Sequence, residues 1–114
     1  MNAYEMPFSR LTLVPAVDFK DKRYTLVTVN AEGKGISAVA GGAAVGVIQE
    51  PNNVNEPAQV ITDGVSFVVL GGDVAAGAEV EVGADGKAIT LATGKAVGIC
   101  LVGGAAGDIG SILL

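Results

Sequence analysis

Two short stretches, "AEGKGIS" at Ala31–Ser37 and "ADGKAIT" at Ala84–Thr90, are nearly identical. The match extends: Val29–Ile48 aligns with Val82–Cys100 over 19 pairs, of which 9 are identical, with one gap at Gly42. Glu32/Asp85, Ser37/Thr90 and Val47/Ile99 are conservative exchanges, and the same offset places Ala58–Ile61 on Gly110–Leu113. The shared order of loop, strand, loop and strand points to one unit of about fifty residues present twice. The expected division is therefore an N-terminal segment, residues 1–23, followed by a single β domain over 24–114, with the repeat at about 24–62 and 77–114. Whatever this chain folds into has to be built from two similar halves.

Each half reads as β. "YTLVTVN" and "AEVEVG" alternate, and short apolar runs follow at "AVGVIQ", "AQVIT", "VSFVVL", "AVGICLV" and "IGSILL". Turn signals of the Gly-Gly, Asp-Gly and Pro51-Asn52-Asn53 type separate them, and no window sustains a helical stripe. The expected fold class is all-β: a small Gly-rich β-barrel or sandwich built from two similar β units, with an extended N-terminal arm. In the two matching loops an acid precedes Gly33 and Gly86, which suits a turn whose glycine takes positive φ. Lys34 and Lys87 then start the return strand as solvated hairpin lysines.

Apolar residues make up 50% of the 114, but most are Ala and Val, so little area is buried per residue and extra burial from an oligomer or a host surface is expected. Four of the five aromatics (Tyr4, Phe8, Phe19 and Tyr24) lie in the first 24 residues, beside Met6, Arg10 and Leu11. Pro7 and Pro15 mark this stretch as an edge or extended segment. Aromatic and Arg anchors are enriched at interfaces, so Tyr4, Met6, Phe8, Arg10, Leu11 and Phe19 are the candidate contact residues toward another subunit or a larger surface.

Charge narrows the partners. The net charge of −5 divides into +1 over residues 1–23 and −6 over the remainder. An acidic body without a basic, aromatic-interleaved stripe disfavours nucleic acid and anionic membrane. Histidine is absent and Cys100 is the single cysteine, so an intrachain disulfide, a Cys/His zinc site and a Ser-His-Asp triad are excluded. "EGKG" and "DGKA" miss the phosphate-loop pattern. Glu79 and Glu81, with Asp73 near, read as a solvated face, and Cys100, aligned with Ile48, as a small core residue. The N-terminus lacks a signal-peptide pattern and no apolar run is long enough to span a bilayer, which gives a soluble, cytoplasm-made protein as the expectation. No catalytic constellation, metal site or cofactor site is read from the sequence.

The phrases "GDVAAG" at Gly72–Gly77, "DGKA" at Asp85–Ala88, "AVGI" at Ala96–Ile99 and "GDIGSILL" at Gly107–Leu114 resemble those of the small capsid-cement, or head-decoration, proteins of tailed bacteriophages. The resemblance is strongest over residues 65–114 and extends through the repeat over 24–62. It implies a non-enzymatic β-rich protein, made in the host cytoplasm, that forms a homotrimer. It also implies binding to the major capsid protein on the outer surface of the expanded head, at three-fold and quasi-three-fold positions, stabilising the virion against internal DNA pressure. A second reading is a carrier module of the biotinyl/lipoyl type, also a duplicated small β-sandwich, with Lys87 or Lys34 as the attachment point. Against it, "ADGKA" lacks the residues expected around a modified lysine, and two equivalent lysines are one more than a carrier needs.

Overall fold

The computed structural model describes residues 3–50 and 56–114; the Pro51–Asn53 turn signal lies outside them. Its strands are β1 (Met6–Leu13), β2 (Leu26–Val29), β3 (Gly35–Ser37), β4 (Gly46–Glu50), β5 (Ala58–Val69), β6 (Glu79–Val82), β7 (Ala88–Thr90), β8 (Gly98–Val102) and β9 (Ile109–Leu113). A 3-10 turn covers Ala84–Gly86. The strands form one curled antiparallel sheet in the order β3-β2-β4-β5-β9-β8-β6-β7, with β1 also on β5. The fold is all-β and barrel-like.

That order is the same from both ends if β2–β5 are exchanged for β6–β9, and the registers agree residue by residue. Leu26 faces Val47 and Val27 faces Gly46; Glu79 faces Ile99 and Val80 faces Gly98. Val47–Ile61 and Ile48–Val60 are matched by Ile99–Leu113 and Cys100–Ile112. The glycine at Gly46 and Gly98 has one physical reason in both copies. A Cβ there would lie 2.2 Å from the Ile61 carbonyl oxygen or 2.7 Å from that of Leu113.

The equivalence reaches further back than the aligned residues. The β1–β5 pairs Leu11–Val60 and Leu13–Ala58 are repeated in β5–β9 as Ser66–Ile112 and Val68–Gly110. Pro15 then bridges Gly35 in parallel fashion, as Leu70 bridges Ala88. Each bridge returns the short hairpin strand to the end of the unit's first strand, so each unit curls toward closure. The extended N-terminal arm is thus the first strand of unit one. The long strand β5 serves twice: its first half ends unit one and its second half begins unit two.

Two positions show how closely the backbone follows the repeat. The Tyr24 N–H donates to the Ile48 carbonyl at 2.8 Å, and the Gly77 N–H to the Cys100 carbonyl at 2.7 Å. Both residues have positive φ, 63° and 89°. Tyrosine is strained there and glycine is not. The tyrosine ring finds compensation: it packs on the core and meets Phe67 edge-on at 5.3 Å.

The cores repeat as well. Leu13, Phe19, Val27, Ile48, Ala58 and Val60 fill unit one. Their counterparts Val68, Val74, Val80, Cys100 and Ile112 fill unit two, with Gly110 in place of Ala58. Unit one therefore carries the larger side chains. Leu26, Ala38 and Val47 join the unit-two cluster instead, so the outer face of unit one is covered by unit two.

Candidate site: the exposed apolar row on the first strand

Strand β1 is held along one side by β5, and among the described residues no other named strand pairs with it. Its approach is close: a Cβ on Gly64 would sit 2.5 Å from the Met6 carbonyl oxygen and 2.7 Å from the Phe8 nitrogen. Gly64, with φ 93°, is required there. Opposite it the register shifts between Pro7 and Ser9 and again before Arg10, so Phe8 sits in a bulge. Bulges at sheet edges re-aim side chains, and Phe8, at 71%, is the most exposed large apolar residue among the described residues. Tyr4, Met6 and Leu11 are exposed too, and Arg10 stands beside them in solvent. Val14 and Val17, which the sequence did not single out, extend the exposed apolar surface past the strand.

The row has a firm base. Ser111 Oγ donates to the Tyr4 carbonyl at 2.7 Å and accepts from the Tyr4 N–H at 2.8 Å. The Glu5 carboxylate accepts from the Phe67 N–H at 3.1 Å. Ser9 and Thr62 hydroxyls meet at 2.9 Å, and Gln59 Nε2 donates to Thr12 Oγ1 at 3.0 Å. These bonds fix the strand while leaving Met6, Phe8 and Leu11 outside, an arrangement suited to contact with another surface.

Phe19 does not belong to that row. At 2% exposure it lies in the unit-one core between Leu13, Val27 and Val60. The turn after β1 folds it inward, to the place Val74 takes in unit two, so it contributes burial rather than contact. The sequence places Arg23 only in the charge balance of residues 1–23. Its guanidinium lies 4.8 Å from the Tyr24 ring centre and its Nε donates to the Gln49 carbonyl at 3.0 Å.

The lysine loops differ in their surroundings. Gly33 and Gly86 take φ of 78° and 74°. In the first loop Asn30 Oδ1 accepts from the Glu32 and Lys34 N–H groups, an Asx turn, and a Cβ on Gly33 would meet nothing within 4 Å. In the second, a Cβ on Gly86 would lie 2.7 Å from the Leu26 carbonyl oxygen, and Asp85 pairs with Lys22 at 3.7 Å. Lys34 and Lys87 are both half-buried rather than fully projecting.

The carboxylate face also separates. Glu79 is exposed, but Glu81 is buried, with Oε1 accepting from the Ala92 N–H at 2.7 Å. Alternation placed both in solvent; the turn around Gly41 and Gly94 closes over Glu81 instead. Among the described residues no three potential ligands gather as a metal site. Cys100 is buried, and desolvation pushes its thiol pKa up.

Comparison with solved structures places this geometry. The chain is similar in fold to the N base of head fiber gp8.5 of bacteriophage phi29. The two superpose with a TM-score of 0.74 over 93% of this chain and 92% of that one, at 16% sequence identity. No protein-family model matches the sequence. No curated protein matches it either.

Proposed function

We propose that this chain is a structural protein of a phage head, and that it docks on the outer surface of the expanded capsid through the β1 row. The observation that carries the reading is the row itself: Tyr4 just before β1, and Met6, Phe8 and Leu11 on it, are exposed on a segment that hydrogen bonds hold in place. The whole-chain likeness in fold to a head-fiber base supports the location. The N-terminal segment, at +1, is the part of this acidic chain least repelled by an acidic partner surface. In this reading three copies stand at each three-fold or quasi-three-fold position, bridge neighbouring major capsid subunits and brace the shell against DNA pressure. A strand already paired to β5 loses little freedom on docking. Many copies on one shell add weak contacts into firm adhesion.

The test mixes purified protein with expanded, undecorated shells and images them by electron cryomicroscopy. Density at three-fold positions is expected, with β1 toward the shell. Phe8→Asp and Met6→Asp, both at exposed positions, are expected to abolish that density while leaving the folded spectrum unchanged. Bare shells with the unmutated protein, or full occupancy by the variants, would overturn the reading.

A further inference from the structure

Beside the Gly41–Gly94 turn contact, the hairpin-end contact between the two units is one-sided. The β6–β7 end of unit two (Val82 to Ala88) caps the outer face of unit one: Gly86 rests on Thr25 and Leu26, Asp85 pairs with Lys22, and the Gly41 N–H donates to the Val82 carbonyl at 2.8 Å. Among the described residues the equivalent β2–β3 end of unit one makes no such hydrogen bond or ion pair to unit two. Val29 is 38% exposed where its counterpart Val82 is 1% exposed, and Gly33 has open space where Gly86 has backbone.

The receiving faces show the same imbalance. On unit one Leu26, Val47 and Ile61 are each 0% exposed. Their counterparts on unit two are Glu79, which is exposed, Ile99 at 42% and Leu113 at 41%. Each molecule thus carries one filled knob-and-socket contact, one free knob on unit one and one free socket on unit two.

We propose that a second copy of this chain fills that socket, its β2–β3 loop docking head-to-tail on Glu79, Ile99 and Leu113 as the β6–β7 loop docks inside each chain. The occupant follows from the molecule, because the knob that fits the filled socket has its counterpart displayed free. The incoming loop carries Lys34 as well as Glu32, and the socket presents Glu79, where unit one has Leu26, for the lysine to pair with. A one-way contact is heterologous, so it closes a ring or grows a filament rather than ending at a two-fold dimer. It supplies the copy-to-copy contact of the trimer above and rests on that reading only for the number three.

Cross-linking tests the geometry on the purified full-length protein, without shells. Inside the chain Asp85 pairs with Lys22; their counterparts are Glu32 on the free knob and Ala75 at the free socket, both exposed. A mixture of Glu32→Cys and Ala75→Cys chains is expected to give a disulfide-linked pair, while Glu32→Cys alone gives none; Cys100 is buried and does not compete. In sedimentation, Ile99→Asp should weaken self-association by about tenfold or more. Ala75→Lys, which offers Glu32 a partner, should strengthen it slightly and only at low salt. Self-cross-linking of Glu32→Cys, or a monomer giving no mixed product, overturns the inference. Either result leaves shell binding, measured separately, free to succeed or fail on its own.

Discussion

The same substitution at two equivalent glycines should cost very different amounts. Gly33 and Gly86 have nearly equal positive φ, so replacing either by Ala pays the same left-handed strain, about 1–2 kcal/mol. At Gly33 nothing more is added, since the new methyl enters open space. At Gly86 the methyl would lie 2.7 Å from the Leu26 carbonyl oxygen and 3.3 Å from Thr25 Cβ. Backbone cannot swing aside as a side-chain tip does, so the loop must lift off unit one, at a further ~1–3 kcal/mol typical of overpacking. Gly86→Ala should then exceed Gly33→Ala by about 2 kcal/mol, or about 8 °C in Tm for a domain of this size. Urea and thermal unfolding measure the difference, run at a chain concentration too low for copies to associate, so that the free loop stays free. Equal losses at the two sites would refute the one-sided hairpin contact, because only at Gly86 would the added methyl meet backbone of the other unit.

Other outcomes follow from the packing. Phe19→Ala should destabilise by about 3–5 kcal/mol in urea unfolding, as a cavity in the unit-one core, whereas Phe8→Asp at the exposed bulge should stay within about 0.5 kcal/mol. Lys22→Ala, which removes a solvent-exposed ion pair, should change the unfolding midpoint little and lose even that effect at high salt. The Cys100 thiol, buried and with its pKa raised, should react with a maleimide only as fast as the chain unfolds, so labelling should accelerate with urea; rapid native labelling would contradict its place in the core.

The two similar β units were legible because turn chemistry and strand alternation survive in both copies. Val82–Gly86 repeats Val29–Gly33 in the residue types that a hairpin needs, and Gly46 and Gly98 recur because backbone passes too near for a side chain. The place of β1 was not legible. Leu11 and Leu13 share no identity with Ser66 and Val68, and Pro15 none with Leu70; what they share is a backbone pairing, which many side chains satisfy. Composition set the N-terminal aromatics apart as one group, yet Phe19 turns inward and Phe8 outward, decided by a turn and a bulge that composition does not encode. Glu81 escaped for a similar reason. Strand alternation reports which face of the ribbon a residue occupies, not whether a distant loop will cover that face, and the loop bearing Gly94 does so only in the folded chain.

The imbalance between the units also explains which residues the repeat has let diverge. Where a face is buried, its side chains must be apolar: Leu26, Val47 and Ile61 are. The equivalent face of unit two lies in solvent in a single chain, and there one position, Glu79, has a charge while Ile99 and Leu113 remain large and apolar. A face meant only for water has no reason to hold two branched aliphatics beside one another, and a face meant only for a core would not hold Glu79. A face that is wet in the free chain and covered by a lysine-bearing loop in the assembly accommodates both. Glu79→Leu separates these demands: it should tighten association if the apolar part of the docked contact dominates and weaken it if the pairing with Lys34 does. The one-way contact requires sedimentation to register a shift in one direction or the other. An unchanged profile would mean that the face stays open to solvent.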